Sequence, residues 1–190
     1  MAEFDFTLEA TPLLGGLNKD IAGNKLKERD DVAIVSIAVP QGGDDALTEA
    51  LSANWGLEFP EATLSTIMGE TRAIRTSPDQ ILLVFPHEQP NANAVIRETL
   101  NGAGYTTDQT DNWVVLEISG PDVSAAMERL SPVDLSPETF GYNASARTMM
   151  EHMGALVVRT GDDAFWLMSA SSSAGSFLHA VETSFNYVTE

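Results

Sequence analysis

The chain has no cysteine, which excludes disulfides, thiolate nucleophiles and cysteine-held metal or iron–sulfur centres. It has three lysines, Lys19, Lys25 and Lys27, and none after them. Positive charge is scarce throughout: ten basic residues stand against 28 acidic ones, a net charge of −18. Such a chain is repelled by nucleic acid and by anionic membrane surfaces, so neither is an expected partner. No apolar run approaches the roughly 18 residues of a spanning helix. The opening MAEFDFTLEA lacks a basic n-region and an apolar h-region, so the expected location is cytoplasmic. The glycosylation pattern Asn143-Ala144-Ser145 is then accidental.

Nucleotide cradles are missing as well. No Gly-x-Gly-x-x-Gly follows a strand, no Walker-type loop occurs, and Gly102-Ala103-Gly104 reads as a helix stop. There is no Gly-x-Ser-x-Gly elbow. His87, His152 and His179 are far apart and lack metal-ligand spacing. The cluster Met149-Met150-Glu151-His152-Met153 is either a soft-metal site or core methionine. The alternating sides of a strand do not make such ligands converge, which favours the core. No catalytic, cofactor-binding or metal-ligating residue is therefore assigned from sequence.

What is present is a regular order of elements, clearest at Asp111–Leu135. In Trp113–Ser119, Val114, Leu116 and Ile118 share one face by period-2 alternation. Gly120 breaks the strand, and Pro121 and Asp122 suit a helix start. Val123, Ala126, Met127 and Leu130 then follow helical spacing. Upstream, Val32–Val39 reads as a buried strand and Ala46–Trp55 as a helix capped by Asp44 or Asp45 and ended by Gly56. Residues 57–70 read as loop with a short element. Thr71–Thr76 and Gln80–Phe85 form a hairpin around Ser77-Pro78-Asp79, followed by a helix at Ala92–Leu100 and a short polar strand at Tyr105–Thr110. Downstream, Ser131–Asn143 is loop, Ala146–Thr160 a long strand region, Ala164–Ala170 its return, and Ser176–Phe185 the last helix.

The order repeats. AIRTSPDQILLVFP in the first hairpin aligns with VVRTGDDAFWLMSA in the second, and Arg75-Thr76 matches Arg159-Thr160 before each turn. Turn geometry is the simplest reason for the matched pairs. The expected fold is α+β: two ferredoxin-like, split-βαβ halves in one duplicated domain spanning 31–190, with halves of about 31–110 and 111–190. Helices are expected outside and the sheets are expected to share a core.

Residues 1–30 lack sustained periodicity and are expected to form an extended N-terminal arm. The arm carries Phe4, Phe6, Leu8, Leu13, Leu14 and Leu17 with Lys19, Lys25, Lys27 and Arg29. These are candidates for an interface with a larger, acidic partner; a solvated segment on an acidic protein is the simpler alternative. Among Trp55, Trp113 and Trp166, the choice is sheet packing or an aromatic anchor at a subunit interface, and Trp113 is the interface candidate.

Several pieces occur together in order: Trp113–Pro121, Arg129-Leu130-Ser131-Pro132-Val133-Asp134-Leu135, Arg147-Thr148, and Arg159-Thr160-Gly161 with Phe165. Over roughly residues 105–182, and more loosely from Thr11, the chain resembles the gamma subunit of heterotetrameric sarcosine oxidase. That resemblance implies a fold like the folate-binding domain of the glycine-cleavage aminomethyltransferase. It implies membership in an assembly of sarcosine catabolism and one-carbon metabolism. That assembly oxidatively demethylates sarcosine to glycine, passes the one-carbon unit to tetrahydrofolate and releases hydrogen peroxide. It further implies alpha, beta and delta subunits as partners, with NAD and tetrahydrofolate, FAD and FMN, and zinc held in those chains and no cofactor in this one. The expected role is that of a non-catalytic subunit; the alternative is a free-standing folate- or one-carbon-binding module. A deep pocket lined by arginine and aromatic residues favours the module, and a large exposed apolar patch favours the subunit.

Overall fold

A computed structural model describes residues 11–190. Its first half opens on β3 (Val32–Ala38), followed by α1 (Asp44–Trp55), β4 (Ser65–Met68), β5 (Thr71–Ser77), β6 (Gln80–Pro86), α2 (Ala92–Leu100) and β7 (Tyr105–Asp108). The second half runs β8 (Trp113–Ser119), α3 (Val123–Leu130), β9 (Ser145–Met150), β10 (Met153–Gly161), β11 (Ala164–Ala170) and α4 (Ala174–Thr189). Ahead of both lies a hairpin of β1 (Asn18–Ile21) and β2 (Asn24–Glu28).

Two antiparallel sheets result, β4-β5-β6-β3-β7 and β1-β2-β8-β11-β10-β9. In the first, β7-β3-β6-β5 is the strand order of a split βαβ half, and β4 extends it. The second repeats that order as β2-β8-β11-β10, extended by β9. The place that β7 fills beside β3 is filled beside β8 by β2, which comes from the start of the chain.

Alternation along the strands sorts side chains into three cores. Ala33, Val35 and Ile37 of β3 pack with Leu47, Leu51, Ile96 and Leu100 under α1 and α2. Val114, Leu116 and Ile118 of β8 pack with Val123, Met127, Phe177 and Val181 under α3 and α4. Between the sheets lie Val32, Ile34, Ile74, Leu82 and Val84 against Val115, Leu156, Val158, Trp166 and Met168. Helices thus cover the outer faces and the sheets share the middle core, as the alternation in the sequence implies.

The halves also join edge to edge. Leu64 and Ala144 form a short antiparallel bridge, with Ser65 N–H donating to the Asn143 carbonyl and Ser145 N–H to the Thr63 carbonyl. Thr63 and Asn143 both take positive φ, +63° and +66°, so the seam is symmetric down to its backbone.

Several expectations need correction. Residues 18–28 are not an extended arm but the hairpin that completes the second sheet. Asn24, Leu26 and Glu28 are buried and Lys25 and Lys27 exposed, a true period-2 pattern hidden because two of its three inward residues are polar. The short element expected within 57–70 is β4, whereas 146–160, read as one strand region, is the hairpin β9–β10 around Glu151 and His152. Helix α1 begins at Asp44, so neither Asp44 nor Asp45 caps it, and Pro121 precedes α3. Helix α4 runs on to Thr189, four residues beyond Phe185, because Val188 still packs on the core.

Candidate functional site

The middle core carries a polar cluster around Trp166. Two guanidiniums lie over its indole, Arg29 at 5.0 Å and Arg72 at 5.3 Å from the ring centroid. Glu117 Oε2 accepts hydrogen bonds from Trp166 Nε1 (3.1 Å) and from Arg29 (2.9 Å), and Arg29 also donates to Asp31 (2.6 Å). Burial works against the charge on Arg29, yet hydrogen bonds to Asp31 and Glu117 outweigh it and raise its pKa. Burial likewise disfavours the Asp31 carboxylate, but the hydrogen bond from Arg29 prevails and holds its pKa below the ordinary value.

Arg72 is 1% exposed and forms no ion pair with any described residue. It donates to Ser65 Oγ (2.7 Å) and Asn143 Oδ1 (2.8 Å), while its Nε has no partner. Desolvation lowers its pKa, and interactions with Tyr142 offset part of that.

The matched arginines of the two hairpins have a structural task. Arg75 donates to the carbonyls of Ser77, Pro78 and Pro60 and lies 5.1 Å from the Phe59 ring. Arg159 donates to the carbonyls of Phe140, Leu135, Gly161 and Asp162 and lies 4.4 Å from Phe165. Each ladder carries a register shift just after its arginine, between Arg75 and Ser77 and between Arg159 and Gly161. Both arginines therefore tie a bulged turn to the loop that follows the first helix of their half.

The remaining feature is a groove along the inner side of β9. Strands β9 and β10 have six and nine residues against four and seven in β4 and β5. The hairpin of the second sheet is thus two residues longer in each strand. A cavity of about 560 Å³ beside it is lined by Trp113, Gln109, Arg147, Met149, Gly154 and Ala170. On the far side of Arg147 a cavity of about 300 Å³ continues past Ser145 to Arg75 and Thr63.

The interface candidates separate. Phe4, Phe6 and Leu8 lie outside the described residues. Leu13 is 48% exposed, while Leu14 and Leu17 pack against the core under α3 and α4. Lys19 pairs with Glu182, and Arg29 with Asp31 and Glu117, so both meet acids of their own chain rather than standing free. Lys25 and Lys27 remain exposed on β2. Trp113 is half-buried at the edge of the middle core, and its Nε1 is buried with no partner among the described residues.

Three buried polar residues were missed. Glu28 is 4% exposed and accepts the backbone N–H groups of Leu14 (2.9 Å), Gly16 (2.9 Å) and Leu17 (3.4 Å), so the loop before β1 folds around its carboxylate. Asn24 accepts Asp122 N–H and donates to Asp122 Oδ2, both at 2.9 Å, which fastens β2 to the start of α3. Gly120 permits that contact: at φ +144° it lies where a Cβ would be 2.6 Å from Asn24 Oδ1. Arg72 is the third. Only the alternation of residues 24–28 signalled any of them.

Among the described residues no group of three or more His, Asp or Glu is close enough to hold a metal, and no helix is long and apolar enough to cross a membrane. Met150 is core and Met149 exposed, so the methionine cluster faces opposite sides.

Fold and site together define a duplicated ferredoxin-like domain whose conspicuous arginines serve packing and turns. The same fold occurs in the glycine cleavage system aminomethyltransferase T from Bartonella henselae, at a TM-score of 0.58 and 15% identity, over 84% of this chain and 45% of that one. A chain of the heterotetrameric sarcosine oxidase from Corynebacterium sp. U-96, solved in complex with pyrrole 2-carboxylate, matches at a TM-score of 0.77 and 22% identity, over 90% of this chain and 88% of that one. Residues 40–184 match the sarcosine oxidase, gamma subunit family, and the chain belongs to that family. Its curated relatives include the sarcosine oxidase subunit gamma of Corynebacterium sp. (strain P-1), 28% identical over 75% of this chain and 70% of the relative. That of Corynebacterium sp. (strain U-96) is 27% identical over 84% and 80%.

Proposed function

We propose that this chain is a non-catalytic, structural subunit of a cytoplasmic heterotetrameric sarcosine oxidase. In this reading the alpha, beta and delta subunits hold NAD and tetrahydrofolate, FAD and FMN, and zinc. The assembly demethylates sarcosine to glycine, with one-carbon transfer to tetrahydrofolate and release of hydrogen peroxide. Family membership over residues 40–184 carries the reading. The architecture supports it: among the described residues, the buried Arg72 and Arg159 are spent on the chain's own sheet seam and turns. The test is recovery of the tagged full chain from its native source, followed by mass spectrometry of the complex. Stoichiometric recovery of three further oxidase chains, with flavin and zinc in those chains, is expected. Recovery of the chain alone, or of a flavin bound to it, overturns the reading.

The meeting of Arg147 and Trp113 on one cavity favours a second reading, a folate- or one-carbon-binding module. Saturable binding of tetrahydrofolate by the isolated full chain is its signature.

A further inference from the structure

The groove along β9 has four properties that no part of the fold uses. It follows the strand: Ser145, Ala146 and Arg147 line one cavity and Arg147, Thr148 and Met149 the other, so five consecutive residues border it. At about 3.3 Å per residue these five residues run roughly 17 Å along the strand, and the larger cavity also reaches across β10 and β11 to Trp113. Strand β9 is also a sheet edge. Beyond the Leu64–Ala144 bridge its outer side has no strand partner among the described residues, so the outward-facing backbone groups of Arg147 and Met149 find no ladder there.

The third property is charge. Arg147 stands exposed at the junction of the two cavities and pairs with no described acid. Among the described residues no carboxylate lines either cavity, in a chain with 28 acidic residues. The fourth is unmet polarity. Among the described residues, Ser145, 2% exposed, has an Oγ without a partner beside one cavity, and the Trp113 Nε1 is buried without one beside the other. Buried polar atoms are rarely left so unless something else completes them.

We infer that this groove receives an extended, acidic segment of another chain of the oxidase, added as a strand along β9 with a carboxylate on Arg147. The inference rests on the subunit reading above. Main-chain pairing along the edge supplies affinity, and the cavities at Gly154 and Thr63 accept alternate side chains. Trp113 and Met149, 51% exposed, form the apolar wall.

Two variants test it in the full chain, co-expressed with the other oxidase chains of its source organism. Arg147→Glu reverses the charge at an exposed position. Gly154→Phe fills the larger cavity; a Cβ there meets nothing within 4 Å and the backbone is not in the left-handed region, so the fold tolerates it. Each should weaken assembly about 30-fold or more while leaving the thermal melt of the lone chain unchanged. A photoreactive benzophenone side chain at position 149 should cross-link to an acidic, extended peptide of another oxidase chain. Wild-type affinity in both variants overturns the groove and leaves the subunit reading standing, whereas failure of the wild-type chain to assemble overturns the subunit reading itself. Cross-linking to a second copy of this chain, or tetrahydrofolate binding abolished by Gly154→Phe, overturns the inference in favour of a homotypic contact or a small ligand.

Discussion

Replacing Leu26 by alanine tests whether the chain's first strand belongs to the second half of the fold. Leu26 is fully buried within the core formed by β8, α3 and α4, and faces Ile118 across the β2–β8 ladder. Truncating a buried leucine costs about 2–5 kcal/mol, the spread reflecting how far the surroundings close in. For a chain of this size each kcal/mol lowers the melting temperature by about 2–4 °C, so a drop of roughly 4–20 °C is expected. Calorimetry of the full chain is the assay. Lys25→Ala, on the exposed face of the same strand, should stay within about 0.5 kcal/mol of wild type. A detachable arm predicts that both substitutions are silent. Deleting residues 2–17 extends the test, since it strips three N–H donors from the buried Glu28 carboxylate and removes Leu14 and Leu17 from the core. Leaving a buried charge without donors costs more than the roughly 1–3 kcal/mol of a neutral group. The truncated chain should therefore lose stability on its own. A wild-type melt for Leu26→Ala or for the truncation would show that β2 does not hold the second sheet together.

Arg72→Leu should be neutral or stabilising in urea unfolding, because an unpaired buried guanidinium carries a desolvation cost and the matching position on β10 is Leu156. A loss above about 2 kcal/mol would mean the contacts to Ser65, Asn143 and Trp166 outweigh that cost. Arg159→Met should instead lose about 2–4 kcal/mol, since four carbonyls forfeit their donor; a silent change would contradict the turn-tying role. Asp31 is held below its ordinary value of 3.8, so its contribution is present above that pH and fades as pH falls through the lower folded value. Asp31→Asn should flatten the acid limb of stability below about pH 4, and an unchanged acid slope would refute the pairing with Arg29.

Elements with an apolar alternation or a helical stripe were legible from sequence: α2 spans Ala92–Leu100 and β8 Trp113–Ser119 as read, and Gly56 ends α1 at φ +67°. The matched Arg-Thr pairs were visible as letters, and turn geometry is indeed what the arginines serve. Legibility failed where the buried side of a strand is polar. Asn24 and Glu28 are inward because one caps α3 from outside and the other gathers a loop, and neither bond partner is near in sequence. The short β4 was legible only as a short element of unassigned type within 57–70, since four residues are too few for a period to show. Arg72 was invisible because a lone arginine on a strand reads as exposed, and only the facing sheet places Trp166 over it. The groove along β9 borders a hairpin two residues longer in each strand than its counterpart, a difference that matters only once two sheets are stacked.

The position of β2 has a consequence for synthesis. The first half draws its sheet from residues 32–108 and can close as soon as these have left the ribosome. The second half must wait for a strand made long before it: Leu26 meets Ile118, 92 residues later. At about 5–20 residues per second, the hairpin that becomes one side of the second sheet stays unpaired for roughly 5–18 s while an entire half-domain folds beside it. The nascent chain thus carries an unfilled edge, with Leu26 bare, through most of its elongation, and chaperone contact during that interval is to be sought at residues 18–28.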